Sequence, residues 1–287
     1  MKNFVPILLF LAAAIASCAP SQENTEILHV CDTSKTVVRT DTGVFVRLAC
    51  RFDGLETSVE LQKAKGSNLT EPYLRTAYGY DTLGNKILVI NSVFDRAHQD
   101  YEHQSKEEYE YDEWHHPTLS TFYIEDNGDW SAWRREKRTF TERGQESSLE
   151  VYEMQGGDWK IKTKSFYQYD GYNNVVEETN FRADSLGEWH PVGKAQREYQ
   201  KSLMVLEIVS NPAPGNKWAE KSKAEFEYNA AKQIVKSTSY IKRGNKWVNY
   251  VQVEYSYDGS NNITSSNTYF WNEKTGRWKL QKDDDDF

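Results

Sequence analysis

The groups best suited to chemistry in this 287-residue chain are 6 histidines, 3 cysteines and a surplus of carboxylates, 43 Asp and Glu against 35 Lys and Arg. Asp95, His98, Asp100 and His103, followed by His115 and His116, form the one dense cluster of transition-metal ligand types. Imidazole and carboxylate together suit a borderline divalent cation, but these spacings match no zinc signature. The stretch reads as a charged, solvated loop, and no metal is assigned. Asp and Asn also recur at Asp81 to Asn85, Asp170 to Asn174 and Asp258 to Asn262. Oxygen donors at such spacing suit calcium, yet each segment has too few carboxylates to enclose the ion. The stronger reading is a turn whose Asp caps local amides. There is no Gly-x-Ser-x-Gly elbow, and no acid pair stands out for glycoside hydrolysis. No catalytic residue and no cofactor are assigned, and an enzyme is not expected.

The cysteines lie early in the chain. Lys2 followed by the apolar run Val5 to Ala16, interrupted at Pro6, reads as a secretory leader over 1–17 that is too short to span a bilayer. Ile15-Ala16-Ser17-Cys18 resembles the bacterial lipobox, with Ile and Ser where Leu and Gly or Ala are commonest. That resemblance implies cleavage before Cys18 and its acylation, a membrane reached through an N-terminal lipid, and residues 18–36 as lipidated cysteine and tether. It places the protein in the bacterial cell envelope, at the outer membrane, facing the periplasm or the surface. The alternative is an ordinary leader cleaved near Ala19. Export permits Cys31 and Cys50 to form a disulfide, which would contribute roughly 3 kcal/mol; two separate thiols are the other option. Neither cysteine has a histidine partner in a nucleophile pattern.

The elements that must carry these residues follow from composition and repetition. Only 38% of residues are hydrophobic, but 14% are aromatic, with 18 Tyr and 9 Trp, and this favours sheets. The net charge of -8 becomes one unit more negative when Lys2 leaves with the leader. An acidic surface without a basic cluster argues against nucleic-acid partners.

Residues 37–287 carry a repeat. Aromatic-x-Tyr followed by Asp or Asn appears at Tyr78-Gly79-Tyr80-Asp81, Tyr109-Glu110-Tyr111-Asp112, Tyr167-Gln168-Tyr169-Asp170, Phe226-Glu227-Tyr228-Asn229 and Tyr255-Ser256-Tyr257-Asp258. Degenerate copies lie near Thr139 to Glu142 and Arg197 to Gln200. Trp130, Trp159, Trp189, Trp218, Trp247 and Trp278 recur in phase, giving a period of about 29 residues. Alternation from Trp247 to Tyr257 places Trp247, Val251, Val253, Tyr255 and Tyr257 on one face. One repeat is then one hairpin, and seven repeats give about 14 strands of an all-β antiparallel meander, curled or barrel-like because wide sheets twist. A β-propeller is the alternative architecture.

The Tyr and Asp motifs resemble the tyrosine-aspartate repeats of bacterial surface and toxin-shell proteins, and also repeat lipoproteins of unknown function common in Bacteroidales. The resemblance covers about Cys50 to Leu280. It implies a repeat array and no particular activity. Each ladder Trp is either core or one of a row of ligand-binding platforms, and core is favoured by the face shared with Val. The functional expectation is a binding or scaffolding module for a glycan or protein. A purely structural envelope component is the second reading and a glycan-active hydrolase the third. The Asp283 to Asp286 run reads as a solvated tail.

Overall fold

In a computed structural model, residues 32–40, 43–64 and 70–281 are described. The leader, Cys18, Cys31 and the Asp283 to Asp286 run lie outside them.

The described residues form eighteen β-strands and no helix. They fall into two compact units, Met1–Lys137 with Glu153–Trp159, and Arg138–Tyr152 with Lys160–Phe287. The first unit holds β1 (Asp32–Thr40), β2 (Gly43–Phe52), β3 (Leu55–Ala64), β4 (Thr70–Tyr80), β5 (Lys86–Asp95), β6 (Asp100–Tyr111), β7 (Pro117–Asp126) and most of β8 (Asp129–Phe140). The division runs through β8, β9 (Glu146–Gln155) and β10 (Asp158–Tyr169). The second unit continues with β11 (Val175–Ala183), β12 (Trp189–Gln200), β13 (Leu203–Ala213), β14 (Lys217–Tyr228), β15 (Ile234–Arg243), β16 (Lys246–Tyr257), β17 (Ile263–Asn272) and β18 (Arg277–Leu280).

Within each unit every strand pairs antiparallel with its neighbour in sequence, from β1 to β8 and from β10 to β18. This is the expected hairpin meander. It has four strands more than the Tyr and Trp markers suggest, because β1, β2, β3 and β18 carry no Tyr-x-Tyr signature. Pairing continues without the interruption that separates propeller blades, which removes that alternative. Neither unit closes on itself as a barrel would: β1 pairs with β2 and not with β8, and β18 pairs with β17 and not with β10.

Recurring β-bulges are what the sequence did not disclose. In β16, Val251 faces Ser239 but Asn249 faces Tyr240, so Tyr250 is an extra residue. Cross-strand partners share a face and successive residues alternate, so the bulge puts Asn249 and Trp247 on the face opposite Val251, Val253 and Tyr255. The same insertion occurs at Tyr73, Gln104, Trp133, Val192 and Lys221. Where it occurs, the Trp end of the strand therefore does not share the Val and Tyr-x-Tyr face, contrary to strict alternation. A second bulge follows the Asp turn, as where Tyr257 faces Ile263 while Ser256 faces Ser265.

Beside this second bulge the chain uses its conserved-in-phase tyrosine as a clasp between hairpins. Tyr80 donates to the Glu56 carbonyl at 2.8 Å, Tyr111 to Lys86 at 2.8 Å, Tyr169 to Glu146 at 2.7 Å, Tyr228 to Met204 at 2.7 Å and Tyr257 to Ile234 at 2.7 Å. Each bond ties one repeat to the repeat before it. Among the described apolar side chains only Phe45, Val46, Ala49, Val59 and Val151 are buried. Cohesion therefore comes mostly from lateral cross-strand contacts, each worth about 0.2–1 kcal/mol, and from these clasps.

Candidate binding surface

The ladder tryptophans lie half-buried on the sheet, apart from Trp189, which is exposed. Cations of neighbouring strands cover several of them. Lys242 lies 4.4 Å from the centre of the Trp247 ring and Arg135 4.3 Å from that of Trp159, while His103 stacks on Trp130 at 5.7 Å. Trp271 meets Trp278 edge to face at 5.1 Å. Tyr240 sits beside the Trp247 group, with Lys223 4.2 Å from its ring and its hydroxyl donating to Glu225 at 2.8 Å. Burial first, and then this bond to a carboxylate, push the Tyr240 phenol up to about 12. Tyr123 repeats the arrangement with Lys106 and Glu108, and its phenol is likewise raised to about 12. Trp130, Trp159, Trp247 and Trp278 are thus half-buried members of aromatic and cation clusters.

The degenerate Tyr-x-Tyr copies are explained in the same terms. Arg138 and Arg197 stand where the first aromatic would be. Arg138 pairs with Glu146 at 3.2 Å, and Arg197 pairs with Glu178 at 3.0 Å and Glu207 at 2.8 Å.

The Asp motifs are turns, as their spacing indicates. Asp81 Oδ1 accepts from the backbone N–H of Leu83 at 2.9 Å and of Asn85 at 2.8 Å, and its Oδ2 accepts from the Asn85 side chain at 2.8 Å. Partial burial pushes the Asp81 carboxyl upward, but these bonds outweigh it and hold the group below its ordinary value. Asp170 and Asp258 are lowered by the same kind of bond, led by the Asn174 side chain and the Asn262 backbone respectively. The fourth residue is left-handed, with φ of 83° at Gly84 and 68° at Asn173, which only Gly or a short polar side chain adopts readily.

In four turns of this bonding the third residue projects a large apolar side chain into solvent. Leu83 is 72% exposed, Trp114 67%, Tyr172 73% and Leu186 86%. Each has its own backbone N–H held by the turn carboxylate: Trp114 by Asp112 at 2.9 Å, Tyr172 by Asp170 at 2.8 Å and Leu186 by Asp184 at 2.8 Å. In the first unit, His115 Nδ1 donates to Asn85 Oδ1 at 2.8 Å, locking the Trp114 turn against the Leu83 turn. In the second, Gln145 donates to Asn173 Oδ1 at 2.9 Å and fixes the Tyr172 turn in the same way. These are exposed apolar groups on an immobilised backbone, the condition under which binding loses least conformational entropy.

No family model matches the chain, and no curated protein does. Among solved structures, the chain aligns with a protein of unknown function from Bacteroides fragilis at 14% identity over 53% of this chain and 91% of that one, with a TM-score of 0.26. A porin-like protein from Bacteroides uniformis aligns at 8% identity over 76% of this chain and 92% of that one, with a TM-score of 0.34. The Tc holotoxin pore of Photorhabdus luminescens aligns at 11% identity and a TM-score of 0.37; 84% of this chain is covered, but it spans only 15% of the toxin chain.

Of the remaining sequence candidates, Cys50 is disulfide-bonded to a partner outside the described residues. The histidines disperse. His103 meets Ser92 at 2.9 Å, His116 pairs with Asp112 at 3.0 Å, and His98 stands beside two acids, Asp95 and Glu102. Glu102 and the turn-tip residues Leu83, Trp114, Tyr172 and Leu186 were not singled out by sequence. The signal for the tips was available: large apolar residues at a position where turn chemistry favours small polar ones.

Proposed function

We propose that the protein is a lipid-anchored binding module of the bacterial cell envelope, a repeat lipoprotein that presents apolar turn tips to a glycan or protein ligand. The observation that carries this reading is the immobilised, exposed side chain at the third turn position, above all Trp114 and Tyr172. Tryptophan and tyrosine are the residues that most often dominate binding energy when held rigidly at a surface. The anchor rests on the lipobox-like Ile15-Ala16-Ser17-Cys18. The Cys50 disulfide is in keeping with an exported chain, since such bonds persist in oxidising compartments. The test is a panel of envelope glycans and surface proteins titrated against the chain while Trp fluorescence is followed. Binding lost in Trp114→Ala or Tyr172→Ala and retained in Trp247→Phe supports the reading. Binding indifferent to both tip variants refutes it.

A further inference from the structure

We infer that the hairpin tip joining β5 and β6 binds a borderline divalent cation of the zinc class, through Asp95, His98 and Glu102. One ligand atom from each of the three side chains lies within 4.8 Å of the other two. His98 Nδ1 is hydrogen-bonded to Asp95 Oδ2 and stands 3.5 Å from Glu102 Oε1. Tetrahedral coordination at about 2.0–2.2 Å separates neighbouring ligand atoms by roughly 3.3–3.6 Å. The histidine–glutamate spacing already fits, and the His98 side chain, 76% exposed, is free to draw back from Asp95. One imidazole with two carboxylates is a borderline donor set; water would complete it in so open a position.

One feature sets this tip apart from the turns that precede the ladder tryptophans. The turns that precede Trp130, Trp159, Trp189, Trp218, Trp247 and Trp278 all contain glycine, at Gly128, Gly157, Gly187, Gly215, Gly244 and Gly276. The β5–β6 turn, Arg96-Ala97-His98-Gln99, has none and reaches its left-handed position with Gln99 at φ 55°. The register sets Asp95 directly opposite Asp100, as it sets Asp126 opposite Asp129 in the β7–β8 hairpin, and a like-charge cross-strand pair disfavours the hairpin. The neighbouring cation, Arg96, is committed to Glu71. A divalent ion at the three ligands would neutralise this concentration of negative charge. The Asp95 carboxylate is already oriented for it by the backbone N–H groups of Ala97 at 2.9 Å and His98 at 3.2 Å.

The experiment is calorimetric titration of the purified full chain with zinc chloride in a chelator-free buffer, alongside His98→Ala, Glu102→Gln and His190→Ala. One zinc per chain is expected. His98→Ala should weaken binding by about tenfold or more and Glu102→Gln should weaken it measurably, with His190→Ala unchanged. Cobalt absorption on the same proteins reports the imidazole ligand directly, and circular dichroism confirms that the exposed variants fold. Absence of zinc uptake, uptake unaffected by His98→Ala, or equal loss in His190→Ala would each overturn the assignment. None of these outcomes depends on the identity of the ligand bound by the turn tips.

Discussion

The tyrosine clasps admit a direct energetic test. Tyr228→Phe keeps the ring and deletes only the hydroxyl that donates to the Met204 carbonyl at 2.7 Å. A neutral intramolecular hydrogen bond contributes about 0.5–1.5 kcal/mol net, and because this one is part-buried, water can partly replace the lost partner. The single change should therefore cost about 1 kcal/mol, which for a chain of this size lowers the melting temperature by about 2–3 °C. Tyr169 and Tyr257 make the same bond to separate acceptors, Glu146 and Ile234. With no shared partner the effects should nearly add, so the triple Phe variant should lose about 3 kcal/mol. Urea unfolding followed by circular dichroism measures this, with amide exchange locating the loss in the second unit. A triple variant within about 0.5 kcal/mol of the parent would mean that the hydroxyls are merely solvated and that the repeats are held by other contacts.

Three further outcomes follow from the geometry. The turn carboxylates Asp81, Asp170 and Asp258 are all lowered in the folded state, so their contribution is complete above the unfolded aspartate value near ~3.9 and is lost as pH falls through the folded values. Acid titration of the melting temperature should show a steep fall in that window, flattened when the three are changed together to Asn. Trp247→Ala should cost about 2 kcal/mol, less than a fully buried Trp, because it removes a half-buried ring under Lys242; a neutral change in the melt would show the ring to be a bare platform. Non-reducing peptide mapping should recover Cys31 joined to Cys50, whereas a Cys18–Cys50 peptide would remove the thiol that lipidation requires.

The strands, their antiparallel order and the Asp turns were legible because each depends on local chemistry repeated in phase. Tyr-x-Tyr marks a strand end, Asp at the first position and Gly or Asn at the fourth mark a turn, and Trp marks the next strand. The faces were not legible. A bulge adds one residue and reverses the alternation beyond it, yet the inserted residues Tyr73, Gln104, Trp133, Val192, Lys221 and Tyr250 share no chemistry that would announce them. One unmarked residue per strand was enough to place the ladder with valines it does not accompany. Glu102 was hidden for a related reason. Only the register that folds β6 back on β5 brings it to His98, four residues away in sequence but on the other side of the turn.

The turn tips separate what the fold needs from what it leaves free. The turn uses the first residue for its side-chain acceptor, the fourth for its left-handed backbone and the third only for its backbone N–H. The third position is accordingly filled by Leu83, Trp114, Arg143, Tyr172, Leu186, Ala231 and Ser260 in turns of like bonding, a range that no packing requirement would tolerate. Tyr172→Ser should leave stability within about 0.5 kcal/mol, as expected for a surface change away from any bonded feature, while Asp170→Ala should lower the melting temperature measurably. If Tyr172→Ser instead destabilises the protein as much as Asp170→Ala does, the exposed ring is part of the turn's own support and the case for a recruited binding side chain fails. If the two separate as expected, the apolar tips are present for a reason other than folding, and contact with a partner is the physical use that an immobilised, solvent-facing aromatic ring serves best.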